Sequence, residues 1–256
     1  MTLSSSPYVS LVIPAYNEAL RLPPFLNEVL SFTRISSVTY EIIIVDDGST
    51  DQTAKIAGSY LGADGVRFIR LKANRGKGYA VKRGFFAAKG RIRAFMDADG
   101  SYHPGEVEKN LIFFEQECDV VIGSRFKKGS VRKTRIVWWR AWASRAFNLV
   151  VRWVLGIPFQ DTQCGFKIIR AELAKPIFGK MRVRRFGFDM EFLYLVHRMG
   201  YKVVEVPVTW EHKEGSKVNM FLDPFDMMAN IFQIRKRYEN DFTLKKKKVS
   251  VWPGLF

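Results

Sequence analysis

The sequence predicts an α/β fold, a mostly parallel sheet flanked by helices, and three observations carry this prediction. Short apolar runs rich in β-branched and aromatic residues alternate with stretches of helical periodicity. Each run stops at turn-forming residues, as buried parallel strands do. Polar motifs follow directly after the runs Val9–Pro14, Glu41–Val45 and Arg91–Met96. Because ligands of open α/β sheets bind at the carboxyl ends of the strands, these motifs predict one site.

The first half of the chain repeats a strand–helix unit. The other strands predicted there are Val66–Leu71 and Asp119–Gly123. The helices predicted between the strands are Glu18–Phe32, Asp51–Leu61 with Ser49 or Thr50 as its cap, Gly76–Lys89 and Pro104–Glu117. Repeated units of this length predict parallel strands with helices on both faces of the sheet.

The second half of the chain is more basic and less regular. After the loop Phe126–Thr134, the predicted elements are a helix at Arg135–Leu155, a strand at Phe166–Ile169, a helix at Phe188–Met199, a strand at Val203–Trp210 and a last helix from Asp223 to about Tyr238. We therefore predict a catalytic domain over residues 1–217 and a carboxyl-terminal amphipathic helix with a basic tail over residues 218–256.

The Arg135–Leu155 helix has two possible interpretations. Its apolar face carries Trp139, Trp142, Leu149 and Trp153, and its polar stripe carries Arg140, Ser144, Arg145, Asn148 and Arg152. Such a helix packs on a core or lies in a membrane interface. Tryptophans combined with arginines favour the interface.

Composition limits the partners. Lys and Arg outnumber Asp and Glu by 41 to 25, giving a net charge of +16. This excess suits nucleic acid, an anionic membrane surface or phosphorylated substrates. No nucleic-acid-binding motif is present, and an acidic site without metal repels phosphate, so we expect no nucleic-acid partner. Two distant cysteines, no visible secretory signal and no long apolar stretch predict a cytoplasmic protein that is not integral to a membrane.

Carboxylates dominate the predicted site. Asp97 and Asp99 alternate on an extended segment, so both can point the same way and hold Mg²⁺ or Mn²⁺. Asp47 can point into the crevice while its neighbours cap the next helix. In the loop Asn74–Gly78, Lys77 can reach a diphosphate, although a plain helix-start loop is the alternative.

Four ordered motifs resemble the inverting nucleotide-sugar glycosyltransferases of family 2, which have the GT-A fold. They are Ile13–Glu18, Val45–Ser49, Asp97–Gly100 and Gly123–Arg125, and the resemblance spans about Val9 to Lys217. Within that family, the segments Asn74–Gly78 and Asp161–Lys167 are similar to those of dolichyl-phosphate β-glucosyltransferases, which are related to the dolichyl-phosphate mannose synthases. Ser101 stands where mannose synthases often carry Gln, so the last protein ligand of the metal stays open.

The resemblance implies roles for individual residues. The nucleotide-sugar site would contain Pro14, Tyr16, Glu18, Val45, Asp47, Lys77, Asp97, Ala98 and Asp99. Asp97 and Asp99 would hold Mg²⁺ or Mn²⁺. The catalytic residues would be Asp99, Arg125 and Lys217, and the acceptor phosphate would meet Arg125, Arg140 and Lys217.

The expected activity is transfer of glucose from UDP-glucose to a dolichyl or polyprenyl phosphate, with inversion. The expected partners are therefore a nucleotide-sugar donor, a lipid-phosphate acceptor and an anionic membrane surface, with the protein peripheral on the cytoplasmic face of a membrane. Mannosyl transfer from GDP-mannose, transfer to another acceptor, nucleotidyl transfer and non-enzymatic binding of nucleic acid remain as alternatives.

Overall fold

The computed structural model describes residues 6–134, 138–213 and 223–241, with residues 139–141 and 223–225 described by their backbone alone. The strands are β1 (Val9–Ala15), β2 (Tyr40–Asp46), β3 (Val66–Arg70), β4 (Ile92–Met96), β5 (Val120–Ser124), β6 (Val131–Arg132), β7 (Phe166–Arg170), β8 (Val203–Pro207) and β9 (Thr209–Trp210). The helices are α1 (Leu22–Ile35), α2 (Thr53–Ser59), α3 (Lys77–Ala87), α4 (Gly105–Lys109), α5 (Ile112–Glu115), α6 (Trp138–Leu155), α7 (Ala171–Lys180), α8 (Phe188–Arg198) and α9 (Asp223–Tyr238).

Seven strands form one sheet in the order β3-β2-β1-β4-β7-β5-β8. The neighbours pair in parallel except around β7, which runs antiparallel to both β4 and β5. The prediction of a mostly parallel sheet flanked by helices is confirmed. Because β7 is reversed, it begins at the edge where β4 and β5 end, so the residues before β7 join that edge.

Each face of the sheet has its own apolar core, because alternate strand residues point to opposite faces. Val12 and Val45 pack on one face with Phe85 of α3. Leu11 and Ile13 pack on the other face with the side chains of α1. Full burial of one such side chain contributes about 1.5–3 kcal/mol, so the two cores stabilise the sheet from both faces.

Several predicted boundaries were wrong. The stretch predicted as the helix Pro104–Glu117 is divided into α4 and α5, and Val203–Trp210 is divided into β8 and β9. Neither β6 nor α7 was predicted. No Ser49 or Thr50 cap is present, because α2 begins at Thr53, whose N–H is hydrogen-bonded to the Asp51 carboxylate.

Helix α6 buries Val151, Val154 and Leu155, and the side chains of Trp138, Trp142 and Trp153 are exposed. The exposed fractions are 73% for Trp138, 65% for Trp142, 65% for Leu149 and 83% for Trp153. Core packing of Trp142, Leu149 and Trp153 is therefore excluded. Within the predicted polar stripe, Asn148 is buried, and its side-chain oxygen accepts hydrogen bonds from the N–H and hydroxyl of Thr162.

Helix α9 packs against α6 and α8, and it buries Ile231, Ile234 and Tyr238 in the core shared with the sheet. The predicted domain division at residues 217/218 lies outside the described residues and stays a prediction. Within the described ranges, every helix is too short or too polar to cross a bilayer.

Candidate functional site

The loops after β1 and β2 are joined side by side at the carboxyl edge of the sheet. The backbone N–H of Asn17 donates to the Ser49 hydroxyl at 2.9 Å, and the N–H of Glu18 donates to the Thr53 hydroxyl at 2.7 Å. In return the Asn17 side-chain oxygen accepts from the N–H of Thr50 at 2.9 Å. Asn17 has a φ of 54°, a left-handed conformation that asparagine tolerates better than most residues. These hydrogen bonds fix the two loops against each other.

The residues predicted to hold the nucleoside differ in how far their side chains are exposed. Pro14 and Val45 are register partners in the sheet, and both are buried. Tyr16 is half-buried at the rim. The Glu18 carboxylate is paired with the Arg21 guanidinium, with Nη2–Oε1 at 2.5 Å. Ligand contact by these residues stays a prediction.

Asp47 connects β2 to the loop that carries Lys77. Its two carboxylate oxygens accept the N–H groups of Arg75 at 2.8 Å and Gly76 at 2.7 Å. Burial raises the pKa of Asp47, although these two N–H donors act in the opposite direction. Gly76 has a φ of +95°, and a Cβ there would lie 2.4 Å from the Arg184 carbonyl oxygen, so this turn requires glycine. Asp47 thus positions the loop; its contact with a nucleoside remains predicted.

Lys77 and Asp97 form an ion pair at the candidate site. Lys77 Nζ lies 2.5 Å from Asp97 Oδ1. Burial alone would lower the pKa of Lys77, but Asp97 and then Asp189 raise it, so the amine stays charged. The Asp97 carboxylate packs directly over Gly165, where an added Cβ would overlap it. Gly165 was not among the predicted site residues, and only its place in the Asp161–Lys167 segment hinted at it.

Asp99 is the second carboxylate of the motif. Its Oδ1 accepts the N–H of Ser101 at 2.9 Å, and burial followed by the charge of Asp97 raises its pKa. Ala98, between the two aspartates, is buried beneath them. Two neighbouring carboxylates, of which Asp97 disfavours the ionisation of Asp99, suit a divalent cation. Mg²⁺ takes one or two carboxylates and completes its shell with water and substrate phosphate, so Asp97 and Asp99 fit Mg²⁺ or Mn²⁺.

A larger set of metal-binding side chains is not found in the described ranges: no three or more His, Cys, Asp or Glu side chains come together there.

Arg125, at the end of β5, is held by Asp161 from the loop before β7. Nε and Nη2 of Arg125 donate to the two Asp161 oxygens at 2.7 and 2.9 Å. Burial would lower the pKa of Arg125, but Asp161 raises it well above its ordinary range; burial would raise the pKa of Asp161, but Arg125 lowers it. The Nη1 edge of the guanidinium lies outside this pair. The sequence singled out Asp161 only as part of the segment Asp161–Lys167 and did not predict its pairing with Arg125.

A second ion pair lies beneath the site and was also missed. Lys167 Nζ is 2.6 Å from Asp189 Oδ1 and donates to the Cys164 carbonyl at 2.7 Å. Lys167 is 1% exposed and Asp189 is 3% exposed. The pair fixes the segment before β7 against α8. A lysine within the apolar run Phe166–Ile169 was the sequence signal, because a buried charge needs a partner.

The remaining predicted residues cannot be placed fully. Lys217 lies outside the described residues. The backbone of Arg140 is in α6, but its side chain is outside the described part. Contact of Arg125, Arg140 and Lys217 with an acceptor phosphate therefore stays a prediction.

The comparison with protein families gives one match that spans most of the sheet. The family described as Glycosyl transferase family 2 matches residues 10–178.

Relatives extend this similarity over nearly the whole chain. The chain is 36% identical to the dolichyl-phosphate beta-glucosyltransferase of Dictyostelium discoideum over 252 residues, covering 90% of this chain and 75% of the relative. It is 36% identical to the enzyme of that name from Homo sapiens over 251 residues, covering 92% and 77%. For the Saccharomyces cerevisiae enzyme of the same name, the identity is 33% over 253 residues, covering 90% and 75%.

Solved structures show the same fold. Glucosyl-3-phosphoglycerate synthase from Mycobacterium tuberculosis, in complex with Mn²⁺, UDP and glucosyl-3-phosphoglycerate, has a TM-score of 0.64 at 20% identity and covers 89% of this chain and 80% of its own. The complex of that enzyme with Mg²⁺ and UDP has a TM-score of 0.64 at 21% identity, covering 89% and 79%. The chain has the GT-A fold of these structures.

Proposed function

The chain belongs to glycosyl transferase family 2, and we propose that it transfers glucose from UDP-glucose to a dolichyl or polyprenyl phosphate, inverting the anomeric carbon. The observation that carries this proposal is the similarity, over about nine-tenths of the chain, to relatives named dolichyl-phosphate beta-glucosyltransferase. The charges at the sheet edge support it, because a diphosphate donor and a phosphate acceptor both need cations there.

On the donor side, Asp97 and Asp99 would hold Mg²⁺ or Mn²⁺. When bound, the ion supplies Lewis-acid neutralisation of the leaving diphosphate. Lys77 carries a stable positive charge on a loop held by Asp47, so it can exchange its contact with Asp97 for a donor phosphate oxygen. Pro14, Tyr16, Glu18 and Val45 would enclose the nucleoside.

On the acceptor side, Arg125 would position the lipid phosphate through its Nη1 edge, with Lys217 and Arg140 as further phosphate contacts. The acceptor oxygen attacks the anomeric carbon in line with the departing UDP. A phosphate monoester has a second pKa of about 6, so it is already ionised near pH 7 and needs no strong general base. The reaction then depends on positioning and on charge stabilisation by these cations.

Access to the acceptor requires a membrane surface, and α6 offers a face for it. Trp138, Trp142, Leu149 and Trp153 form one exposed stripe at helical spacing. Tryptophans are favoured at the depth of lipid headgroups, and basic residues are attracted to anionic lipids at about 1 kcal/mol each. We place the protein peripherally on the cytoplasmic face, with Arg235–Lys248 adding electrostatic attraction.

A donor panel tests the activity. Purified protein is given radiolabelled UDP-glucose or GDP-mannose, polyprenyl phosphate in detergent, and Mg²⁺, Mn²⁺ or EDTA, and the lipid product is identified. We expect metal-dependent glucosyl transfer from UDP-glucose. Faster transfer from GDP-mannose would overturn the donor assignment, and release of diphosphate in place of UDP would indicate a nucleotidyltransferase.

Vesicle sedimentation tests the membrane face. We expect binding to anionic vesicles at low salt, with partial release at high salt because surface charges are screened. Trp142→Ser combined with Trp153→Ser should reduce binding, as should neutralisation of Lys245–Lys248. The matched control, Leu20→Ser combined with Ile35→Ser, removes two other exposed apolar side chains. Equal binding of the control and the tryptophan variant would contradict docking through α6.

A further inference from the structure

A basic groove lies beside the loop of residues 182–185, which contacts the segment that carries Lys77. It has a volume of about 280 Å³ and is formed between residues 182–185 and one face of α9. Four arginines line it, Arg182, Arg184, Arg185 and Arg237, together with the amide side chains of Asn230 and Gln233. We name this feature the arginine groove.

The carboxylates at the arginine groove neutralise these cations only in part. Asp226 lies 4.0 Å from Arg185, and both side chains are mostly exposed, so this pair is weak. Glu191 is fully buried behind the groove; it contacts Arg237 at 3.2 Å and accepts the backbone N–H groups of Arg182 and Val183. Glu191 therefore holds the backbone of the loop and offsets the charge of Arg237, whereas the side chains of Arg182 and Arg184 are exposed.

A nearby lysine reports the excess of positive charge. Burial and then the charge of Arg182 lower the pKa of Lys82 on α3; Glu191 acts in the opposite direction, and Arg184 lowers the pKa further. Cations crowded in this way repel one another, and a bound anion removes that repulsion. Guanidinium groups also bind phosphate oxygens through paired N–H donors, which a scatter of lysines does not match.

We propose that the arginine groove is a second anion-binding site, separate from the donor site, for a ligand that carries two or more phosphate groups. The volume lies just below the usual range of small-molecule sites, about 300–1,000 Å³, which suits a diphosphate or a bisphosphorylated headgroup. The Arg184 carbonyl accepts the N–H of Tyr79 at 3.2 Å and abuts Gly76, so the loop between the two sites contacts the segment that carries Lys77.

The test measures binding of inorganic pyrophosphate to the full-length protein by calorimetry, in EDTA, so that no metal assists the donor site. Wild-type protein should bind pyrophosphate more tightly than inorganic phosphate. Arg184→Ala combined with Arg185→Ala should weaken binding at least tenfold. Lys55→Ala combined with Lys236→Ala removes two exposed charges outside the groove and should change binding less than twofold.

Two further variants keep the result decisive. Lys77→Met in the donor site should leave pyrophosphate binding within twofold of wild type. If it weakens binding as much as the double arginine variant does, pyrophosphate occupies the donor site and the proposal fails. If the double variant does not fold, Arg182→Gln should still weaken binding severalfold, and unchanged binding by a folded Arg182→Gln protein would overturn the proposal.

Vesicles distinguish the source of the phosphates. Vesicles with bisphosphorylated inositol headgroups should compete with pyrophosphate if the natural ligand is a lipid, whereas phosphatidylserine vesicles of equal charge should compete less. If neither vesicle competes while pyrophosphate binds, the ligand is a free phosphate compound. Equal losses for the double arginine variant and the Lys55/Lys236 control would indicate diffuse attraction and no site. Because these assays measure no transfer, their outcome is independent of the proposed glucosyltransferase activity.

Discussion

Two cation–carboxylate pairs lie at the same edge of the sheet, and they are built differently. Lys77 and Asp97 share one contact of 2.5 Å, and their side chains are 21% and 26% exposed. Arg125 and Asp161 share two contacts of 2.7 and 2.9 Å, and the Asp161 side chain is 0% exposed. Asp161 also accepts the backbone N–H groups of Arg125 and Gln163. The Lys77–Asp97 pair is thus a single, partly exposed contact. The Arg125–Asp161 pair, which we call the framework pair, is held by several hydrogen bonds.

The difference indicates that one pair holds a side chain in position, whereas the other can exchange its partner for a ligand. A buried pair with several hydrogen bonds keeps one geometry, because breaking it leaves an uncompensated charge. A single contact near solvent can be replaced by a contact with a ligand at little cost. Arg125 is therefore held in a fixed orientation, in which we propose that it meets the acceptor, whereas the contact of Lys77 with Asp97 is one that a donor diphosphate could replace.

The largest effect should come from breaking the framework pair. Asp161→Asn leaves the Arg125 charge without its partner, so we expect the free energy of unfolding to fall by about 3 kcal/mol, measured with urea at pH 7. Glu117→Gln, which removes an exposed carboxylate paired with Lys202, should leave stability unchanged and serves as the control. Equal stability of the two variants would mean that Arg125 and Asp161 do not form a fixed pair.

The pH dependence of the same variant sharpens the point. The folded pKa of Asp161 is lowered by Arg125, so the stabilisation is present above the unfolded value of about 3.9 and is lost as the pH falls through the folded pKa. The stability difference between wild type and Asp161→Asn should be constant from pH 8 to about 5 and should shrink below about pH 4. A difference that grows on acidification would contradict the assignment.

Asp97→Asn should reverse the pattern, with a large effect on activity and a small one on stability. If Asp97 holds the metal as proposed, loss of this carboxylate should lower turnover at least about 100-fold, since substitutions one shell further out already cost about 10–100-fold. The free energy of unfolding should change by less than about 1 kcal/mol, because the Lys77 contact is partly exposed. Turnover and unfolding are measured on the same preparation, and normal turnover would remove Asp97 from the mechanism.

The contrast between the pairs also explains what the sequence could predict. The β1, β2 and β4 strands were placed to within about one residue, since buried parallel strands are continuous apolar runs ending in turn residues. The polar motifs after those strands correctly predicted that Asp47, Asp97 and Asp99 follow the carboxyl ends of strands in the same sheet, and their role in a site stays a prediction. These residues lie near one another because β2, β1 and β4 are adjacent in the sheet.

The framework pair was harder to predict because it depends on strand direction. Nothing in the run Phe166–Ile169 indicates that β7 is antiparallel, yet only that reversal brings Asp161 and Gly165 to the site. Helix α7 was missed because Pro176 lies inside it, which local rules interpret as a break. On α6, periodicity separated two faces but could not say which one the neighbouring α9 and the sheet would cover.

Lys77→Met tests the exchangeable pair itself. If Lys77 moves to the donor diphosphate, the variant loses one charged hydrogen bond, worth about 1.5 kcal/mol, and the KM for UDP-glucose should rise about tenfold. Turnover at saturating donor should fall less than KM rises. An unchanged KM would show that Lys77 serves only to hold Asp97.

Arg125→Lys should give the smallest effect and separates charge from geometry. Lysine keeps the positive charge but has no planar fork, so it cannot make the two parallel contacts with Asp161 and present a further edge to a phosphate. We expect transfer to polyprenyl phosphate to fall about fivefold, the loss of roughly 1 kcal/mol of positioning, with the affinity for UDP unchanged. Arg125→Ala, which also loses the charge, should lower transfer further, again more than nucleotide affinity. The measurement is a full titration of acceptor and donor for each variant. If Lys and Ala reduce UDP affinity as much as they reduce transfer, Arg125 acts on the donor, and the division of this edge into an exchangeable donor cation and a fixed acceptor cation is wrong.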